Sequence, residues 1–196
     1  MAMTTSIILA GVGGQGILLA GTLIARAAMS AGLAVKTNET HGMAQRGGAV
    51  TAHVRYGKEV HSPLIPLGTA TALAALECLE VLRAGEYLAP DGQVVASTER
   101  RMPITVSSGA ATYPADVEER VKKLHPTALL FDAVQMAREI GNIRVANVIV
   151  VGALAARLDL PLECWHQALA AGVKPQHLEI NQKAFRAGLH AAGAAA

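Results

Sequence analysis

Apolar positions along the chain alternate between short runs of β-rich residues and longer stretches with helical spacing. "SIILA" (6–10) is a continuous apolar run, which suits a strand buried on both faces of a parallel sheet. The cluster Gly11–Gly16 interrupts it, and the residues from Ile17 to Ser30 then favour a helix, with Gly32 placed to cap its end. "LAVKTNE" (33–39) follows as a second strand, so the first 39 residues predict a β-turn-α-β unit.

Residues 40–48, "THGMAQRGG", are too polar and too aperiodic for a core element and read as a loop. From 49 to 57, Val50, Ala52, Val54 and Tyr56 alternate with Thr51, His53 and Arg55, the period of a half-buried strand. "SPLIPLG" carries two prolines and is an extended connection. Residues 69–77 fit either strand or helix and are read as a short strand entering a helix at 77–84. "PDG" (90–92) signals a turn before the strand "QVVAST", and a small strand "ITVSSG" lies between Pro103 and Pro114. A charged amphipathic helix is expected at 116–124 and an apolar strand at 127–133, ending at Asp132. Helices then dominate, at 134–140, about 147–158, 161–171 and 178–190, before an alanine-rich tail expected to fray. The alternation predicts one α/β domain over residues 1–196, with a mainly parallel sheet and a helical C-terminal region.

Composition changes this picture in three places. Apolar residues make up 52% of the chain but aromatic ones only 3%, so Ala, Leu and Val must fill the core. The net charge of +2 offers no basic face and gives nucleic-acid binding no support. The N-terminal "MAMTTSIILAG" lacks a basic segment before its apolar run, which reads neither as a secretion signal nor as a membrane span and leads to a cytoplasmic expectation. Cys78 and Cys164, each in a helical context, are expected to be buried free thiols. Two cysteines also fall short of the four thiolates of a standard iron–sulfur cluster.

The candidate chemistry sits in two adjoining segments. Gly11, Gly13 and Gly16 fit G-x-G-x-x-G, with Gly14 and Gln15 inside it. Such a turn brings backbone close to a ligand and aims helix N–H groups at an anion, although it also serves as a plain strand–helix corner. A dinucleotide site would need an acidic ribose contact after the second strand, and Glu39 stands where one is expected. The loop that follows concentrates Glu39, His41, Gln45 and Arg46 beside Gly47 and Gly48. At a strand's carboxyl end these residues could bind an anion and shuttle a proton; equally, they could tie down their own loop. His53, His61, His125, His166, His177 and His190 share no metal-ligand spacing, and Ser107 and Ser108 lack a nucleophile-elbow context. Asp132 could face a crevice or cap the next helix, and Trp165 reads as core or interface.

"GVGGQG", followed some 25 residues later by "ETHGMAQRGGAV", resembles the gamma-type domain of the 2-oxoacid:ferredoxin oxidoreductase family. The likeness continues through "HVRYG", "ALECLEVLR" with Glu77, "NVIVVGALAA" and "KPQHLEINQKAFRAG", where Asn181, Phe185 and Gly188 read as packing residues. It implies a Rossmann-like three-layer domain. A chain that stands alone at this length resembles the accessory subunit of the arylpyruvate (indolepyruvate) branch. The resemblance implies oxidative decarboxylation of an aryl 2-oxoacid to its acyl-coenzyme A, with electrons passing to ferredoxin. No G-D-G…N motif for thiamine diphosphate is present, since "PDGQ" lacks the first glycine. Thiamine diphosphate, Mg²⁺ and [4Fe–4S] clusters are therefore expected on a larger partner subunit. The resemblance further implies coenzyme A at Gly11, Gly13, Gly14, Gln15 and Gly16, with Glu39 and Gln45 nearby. Alternatively, His41 and Arg46 would reach across to the partner's active site. Open beside this are a subunit acting on pyruvate, 2-oxoglutarate or branched-chain oxoacids, a stand-alone nucleotide-binding module, and a silent docking subunit; a homodimer is open for the isolated chain.

Overall fold

The computed structural model describes residues 4–41, 48–102, 106, 109 and 112–194. In chain order these form β1 (Thr5–Val12), α1 (Ile17–Ser30), β2 (Ala34–His41), β3 (Ala49–Gly57), β4 (Ala70–Ala75), α2 (Cys78–Ala84) and β5 (Leu88–Ser97). They continue with α3 (Val117–Leu124), β6 (Leu129–Phe131), α4 (Ala133–Ile140), α5 (Ala146–Ala155), α6 (Leu162–Gly172) and α7 (Leu178–Ala191).

The strands make one six-stranded sheet in the order β2-β3-β1-β4-β5-β6. β1, β4, β5 and β6 pair in parallel. β3 runs antiparallel to both of its neighbours, β1 and β2. The predicted β-turn-α-β unit is present, but its two parallel strands are not neighbours, because β3 folds back between them.

Alternate residues of each strand feed opposite faces. Ile7 and Leu9 of β1, with Ala72, Ala74 and Val95, face α1 and the C-terminal helices α4 to α7. Ile8 and Ala10, with Leu73, Ala75, Val94 and Ala96, face α2 and α3. Both faces of the central strands are thus covered, which is why these strands read as unbroken apolar runs. Cys78 and Cys164 are free, buried, and belong to the two different cores. Trp165 is buried against Phe185, their ring centroids 5.7 Å apart.

α5 is buried all round from Asn147 to Ala155. Gly152 on α5 faces Gly188 on α7, and the helix backbones touch where a Cβ on either glycine would strike the opposite chain. Low aromatic content is made good here by close approach of small residues.

Two expectations change. The "PDG" turn does not precede the strand but interrupts it: Ala70 pairs with Leu88 and Ala72 with Gln93, so 89–92 bulge out of β5. Pro90 has no N–H for the ladder, and Gly92 lies 2.9 Å, at the position of a Cβ, from the Ala70 carbonyl oxygen. β6 covers only Leu129–Phe131 of the run expected at 127–133. The small strand expected within 104–109 lies outside the described residues, apart from Val106 and Gly109. Among the described residues, no helix is long and apolar enough to cross a membrane.

Candidate functional site: a cationic cleft at the carboxyl edge of the sheet

The glycine turn joins β1 to α1. Gly14 and Gly16 have φ of 96° and 84°, a region that L side chains rarely occupy. Gly16 is also confined by packing, since a Cβ there would collide with the Asn147 amide of α5. That amide instead donates to the Gly16 carbonyl oxygen at 3.1 Å. The Gly13 N–H donates to the Gly48 carbonyl at 2.9 Å and ties the turn to the start of β3. Among the described residues no side chain caps α1, and no acidic residue stands in its first turn, so its N–H dipoles face the cleft.

Gln15 lies at the centre of the turn. Its Oε1 accepts from the Val12 N–H at 2.7 Å, while its Nε2 donates to the Leu76 carbonyl and to Glu99 Oε2, each at 2.9 Å. The side chain expected to meet a cofactor therefore spends its amide on joining β1, β4 and the segment after β5. Glu99 passes the contact on, accepting at Oε1 from Arg101 Nε at 3.0 Å.

Beyond this turn opens a cleft of about 420 Å³. Gly14, Gln15 and Gly16 form one wall, Leu76, Ser97, Glu99 and Arg101 a second, and α4 with the approach to α5 the third. The third wall contributes Arg138 and Arg144, neither of which has an ion-pair partner among the described residues. Three guanidinium groups thus meet one carboxylate, already paired, beside the N-terminus of α1. A second cavity of about 320 Å³ shares Leu19 and Arg144 with the first and extends toward Lys174 and His177. The arrangement suits a ligand with several phosphate groups and an elongated body.

Glu39 is not brought to this cleft. It pairs with Ala52 in the ladder, and β3 separates its strand from β1. Neighbouring strands lie about 4.8 Å apart, so the expected ribose contact is displaced by one strand, roughly 5 Å, and its strand lies roughly 10 Å from β1. His41 ends β2, and Gln45 and Arg46 lie outside the described residues. Gly11 packs under the turn, where a Cβ would stand 2.9 Å from Gln15 Oε1 and from the Ile17 side chain.

Sequence reasoning missed Glu99, Arg101, Arg138, Arg144 and Asn147. The available signals were the charged "TERR" directly after an apolar strand and Asn147 inside an otherwise apolar helix. Asp132 resolves as a helix cap, its Oδ1 accepting from the Gln135 N–H at 2.8 Å.

Next to the cleft, on the α2 side, lies a buried acidic cluster. Glu77, 1% exposed, caps α2 by accepting from the Glu80 N–H at 3.2 Å, and its other oxygen accepts from the Tyr113 hydroxyl. Burial pushes the Glu77 carboxyl up, against the pull of the Tyr113 hydroxyl and nearby backbone N–H groups. Burial likewise raises Glu80, opposed by Arg83 at 2.6 Å, and pushes the Cys78 thiol up to about 11. A thiol so far from ionisation is an inert packing group. His53 is buried, and its Nδ1 accepts from the Ile65 N–H at 3.1 Å. Among the described residues, no three His, Cys, Asp or Glu side chains gather as a metal site. With one cysteine on each side of the sheet, the donor set does not fit an iron–sulfur cluster.

Comparison with known proteins places this geometry. Residues 6–191 match the family model described as pyruvate ferredoxin/flavodoxin oxidoreductase. The chain is 40% identical to the indolepyruvate oxidoreductase subunit IorB of Archaeoglobus fulgidus, over 97% of this chain and 96% of that protein. It is 39% identical to the same subunit of Pyrococcus horikoshii, over 95% of each. Identity falls to 29% against the 2-oxoglutarate synthase subunit KorC of Methanothermobacter marburgensis, over 95% of each. Among solved structures, the gamma subunit of the keto/oxoacid ferredoxin oxidoreductase of Geobacter sulfurreducens superposes with a TM-score of 0.72. That match has 25% identity and covers 97% of this chain and 99% of that one. The family model, the full-length sequence similarity and the superposition agree, and the chain belongs to the pyruvate ferredoxin/flavodoxin oxidoreductase family.

Proposed function

We propose that this chain is the accessory subunit of an indolepyruvate-type ferredoxin oxidoreductase, which converts an aryl 2-oxoacid and coenzyme A to the aryl acetyl-CoA and CO₂ while reducing ferredoxin. The observation that carries the substrate class is the drop from 40% identity with the indolepyruvate relative to 29% with the 2-oxoglutarate relative, over nearly the same span. The cationic cleft supports a role in holding coenzyme A. The N-terminus of α1 and Arg101, Arg138 and Arg144 suit its phosphates, and the second cavity gives its length somewhere to lie.

Carbon–carbon cleavage and electron transfer then fall to the larger subunit, where thiamine diphosphate with Mg²⁺ would stabilise the carbanion and [4Fe–4S] clusters would carry the electrons. Two cysteines on opposite sides of the sheet do not make a cluster site and the sequence lacks a thiamine diphosphate motif, so this chain's own contribution is to bind and orient. Two buried free thiols suit the reducing cytoplasm.

The test is reconstitution. The chain is co-purified with its larger subunit and assayed anaerobically for ferredoxin reduction, with coenzyme A and one oxoacid at a time. Turnover of indolepyruvate or phenylpyruvate well above that of pyruvate and 2-oxoglutarate is the expected result, with none from the chain alone. A preference for 2-oxoglutarate or pyruvate would move the chain to another branch of the family, and stabilisation of the isolated chain by NAD⁺ or FAD would make it a nucleotide module.

A further inference from the structure

The cleft contains a carboxylate that its proposed use does not explain. Glu99 stands among three arginines in a site suited to anions, where a negative charge should oppose ligand binding. It is not a solvated bystander, for its side chain is only 20% exposed. One oxygen is held by Gln15 Nε2 at 2.9 Å and the other by Arg101 Nε at 3.0 Å. Gln15 is itself immobilised at both ends of its amide, by the Val12 N–H and the Leu76 carbonyl. The result is an unbroken chain of hydrogen bonds from the sheet, through the turn, to a guanidinium whose side chain is 44% exposed.

We propose that Glu99, anchored by Gln15, is a positioning residue that fixes the Arg101 guanidinium at the rim of the cleft as a specificity-determining contact for the ligand's phosphate groups. Glu99 engages Arg101 through Nε, and among the described residues the terminal guanidinium nitrogens have no partner, which lets them fork onto a phosphate. An arginine left unrestrained at such exposure would lose rotamer freedom on binding, and a fixed one has already lost it. Arg138 and Arg144, which lack ion-pair partners among the described residues, supply charge without that fixed direction. The identity of the phosphate ligand as coenzyme A rests on the reading under Proposed function; the fixing of Arg101 does not.

The two arguments separate in one set of measurements on the full-length chain. The Arg101 Nε–H resonance is followed by ¹⁵N NMR, coenzyme A affinity by calorimetry, and Tm without ligand by thermal unfolding, in wild type, Glu99→Gln, Arg101→Ala and the double variant. Positioning predicts that Glu99→Gln moves the Arg101 Nε–H resonance to the free-guanidinium position and weakens coenzyme A about fivefold or more. Tm is expected to change by no more than a few degrees. Arg101→Ala should lose a similar factor, and the double variant little beyond it, as coupled residues do. Simple electrostatics predicts the opposite sign: removing a negative charge from an anion site should tighten binding. Unchanged or tighter binding by Glu99→Gln overturns the proposal, as does an unmoved Arg101 resonance. If the wild-type chain binds no coenzyme A, the ligand reading fails and the resonance alone decides whether Glu99 holds Arg101. Should Glu99→Gln not fold, Glu99→Asp keeps the charge but cannot span both partners, and the same resonance is read in it.

Discussion

At the scale of single residues, the cleft depends on contacts that allow little substitution. Gly16 combines a positive φ of 84° with the Asn147 amide pressed against it. Gly16→Ala is expected to cost about 1 to 3 kcal/mol from backbone strain alone. Asn147→Ala should relieve part of the clash while losing the bond to the Gly16 carbonyl, so urea unfolding of the double variant should show less than the sum of the two costs. Tyr113 presents a second case. Its hydroxyl is a donor to a carboxylate that is 1% exposed. Tyr113→Phe should therefore cost about 1 to 3 kcal/mol in urea unfolding, since Glu77 would stay buried with one partner fewer. "GVGGQG" was legible as a turn that favours anions. That Gln15 would be consumed by the frame was not, because Leu76 and Glu99 approach it only after folding.

At the scale of elements, two contacts set how pieces sit on the sheet. α5 and α7 meet backbone to backbone at Gly152 and Gly188. Gly152→Ala should force the helices apart and cost about 1 to 3 kcal/mol or more, measured by denaturant unfolding, whereas Ala on an exposed helix face would be favourable. The segment between β3 and β4 is pinned where neutral His53 accepts the Ile65 N–H, aided by Arg55, which donates to the Ser62 and Leu64 carbonyls at 3.0 Å each. Burial lowers His53 below its ordinary value of 6.5. The unfolded chain then binds more protons just below that value, so stability rises with pH there and is lost as pH falls through 6.5 toward the folded value. Glu77 and Glu80, raised by burial, act in the opposite sense: they disfavour the folded state above their folded values, and that cost fades as pH falls toward 4.5. Between about pH 7.5 and about pH 5.5, wild type should lose more stability than His53→Asn, which keeps an acceptor without titrating. Part of the slope should survive in the variant, because burial also lowers His125.

For the whole molecule, ligand binding is the decisive readout of the cleft. Coenzyme A at 100 times its Kd should stabilise the chain by about 2.7 kcal/mol, roughly 5 to 10 °C in Tm for a domain of this size. NAD⁺ should produce no comparable shift, because β3 holds Glu39 a strand away from where a ribose would lie. The sequence by itself determined the α/β class, most element positions, the two free buried thiols and the glycine turn, since each follows from local periodicity or from backbone freedom at one residue. Helix α1 and strand β3 could be read to within a residue or two, because an amphipathic period or a strict alternation is a local property. Strand order and the cleft's cationic wall were decided only by tertiary structure. β3 is inserted between β2 and β1 through the ladders it forms with both, and no local pattern records which neighbours a strand will find. Gln15, Glu99, Arg138 and Arg144 come from elements spread over more than a hundred residues, joined by no motif. Their chemistry exists only once the carboxyl ends of β1, β4 and β5 are brought to one edge.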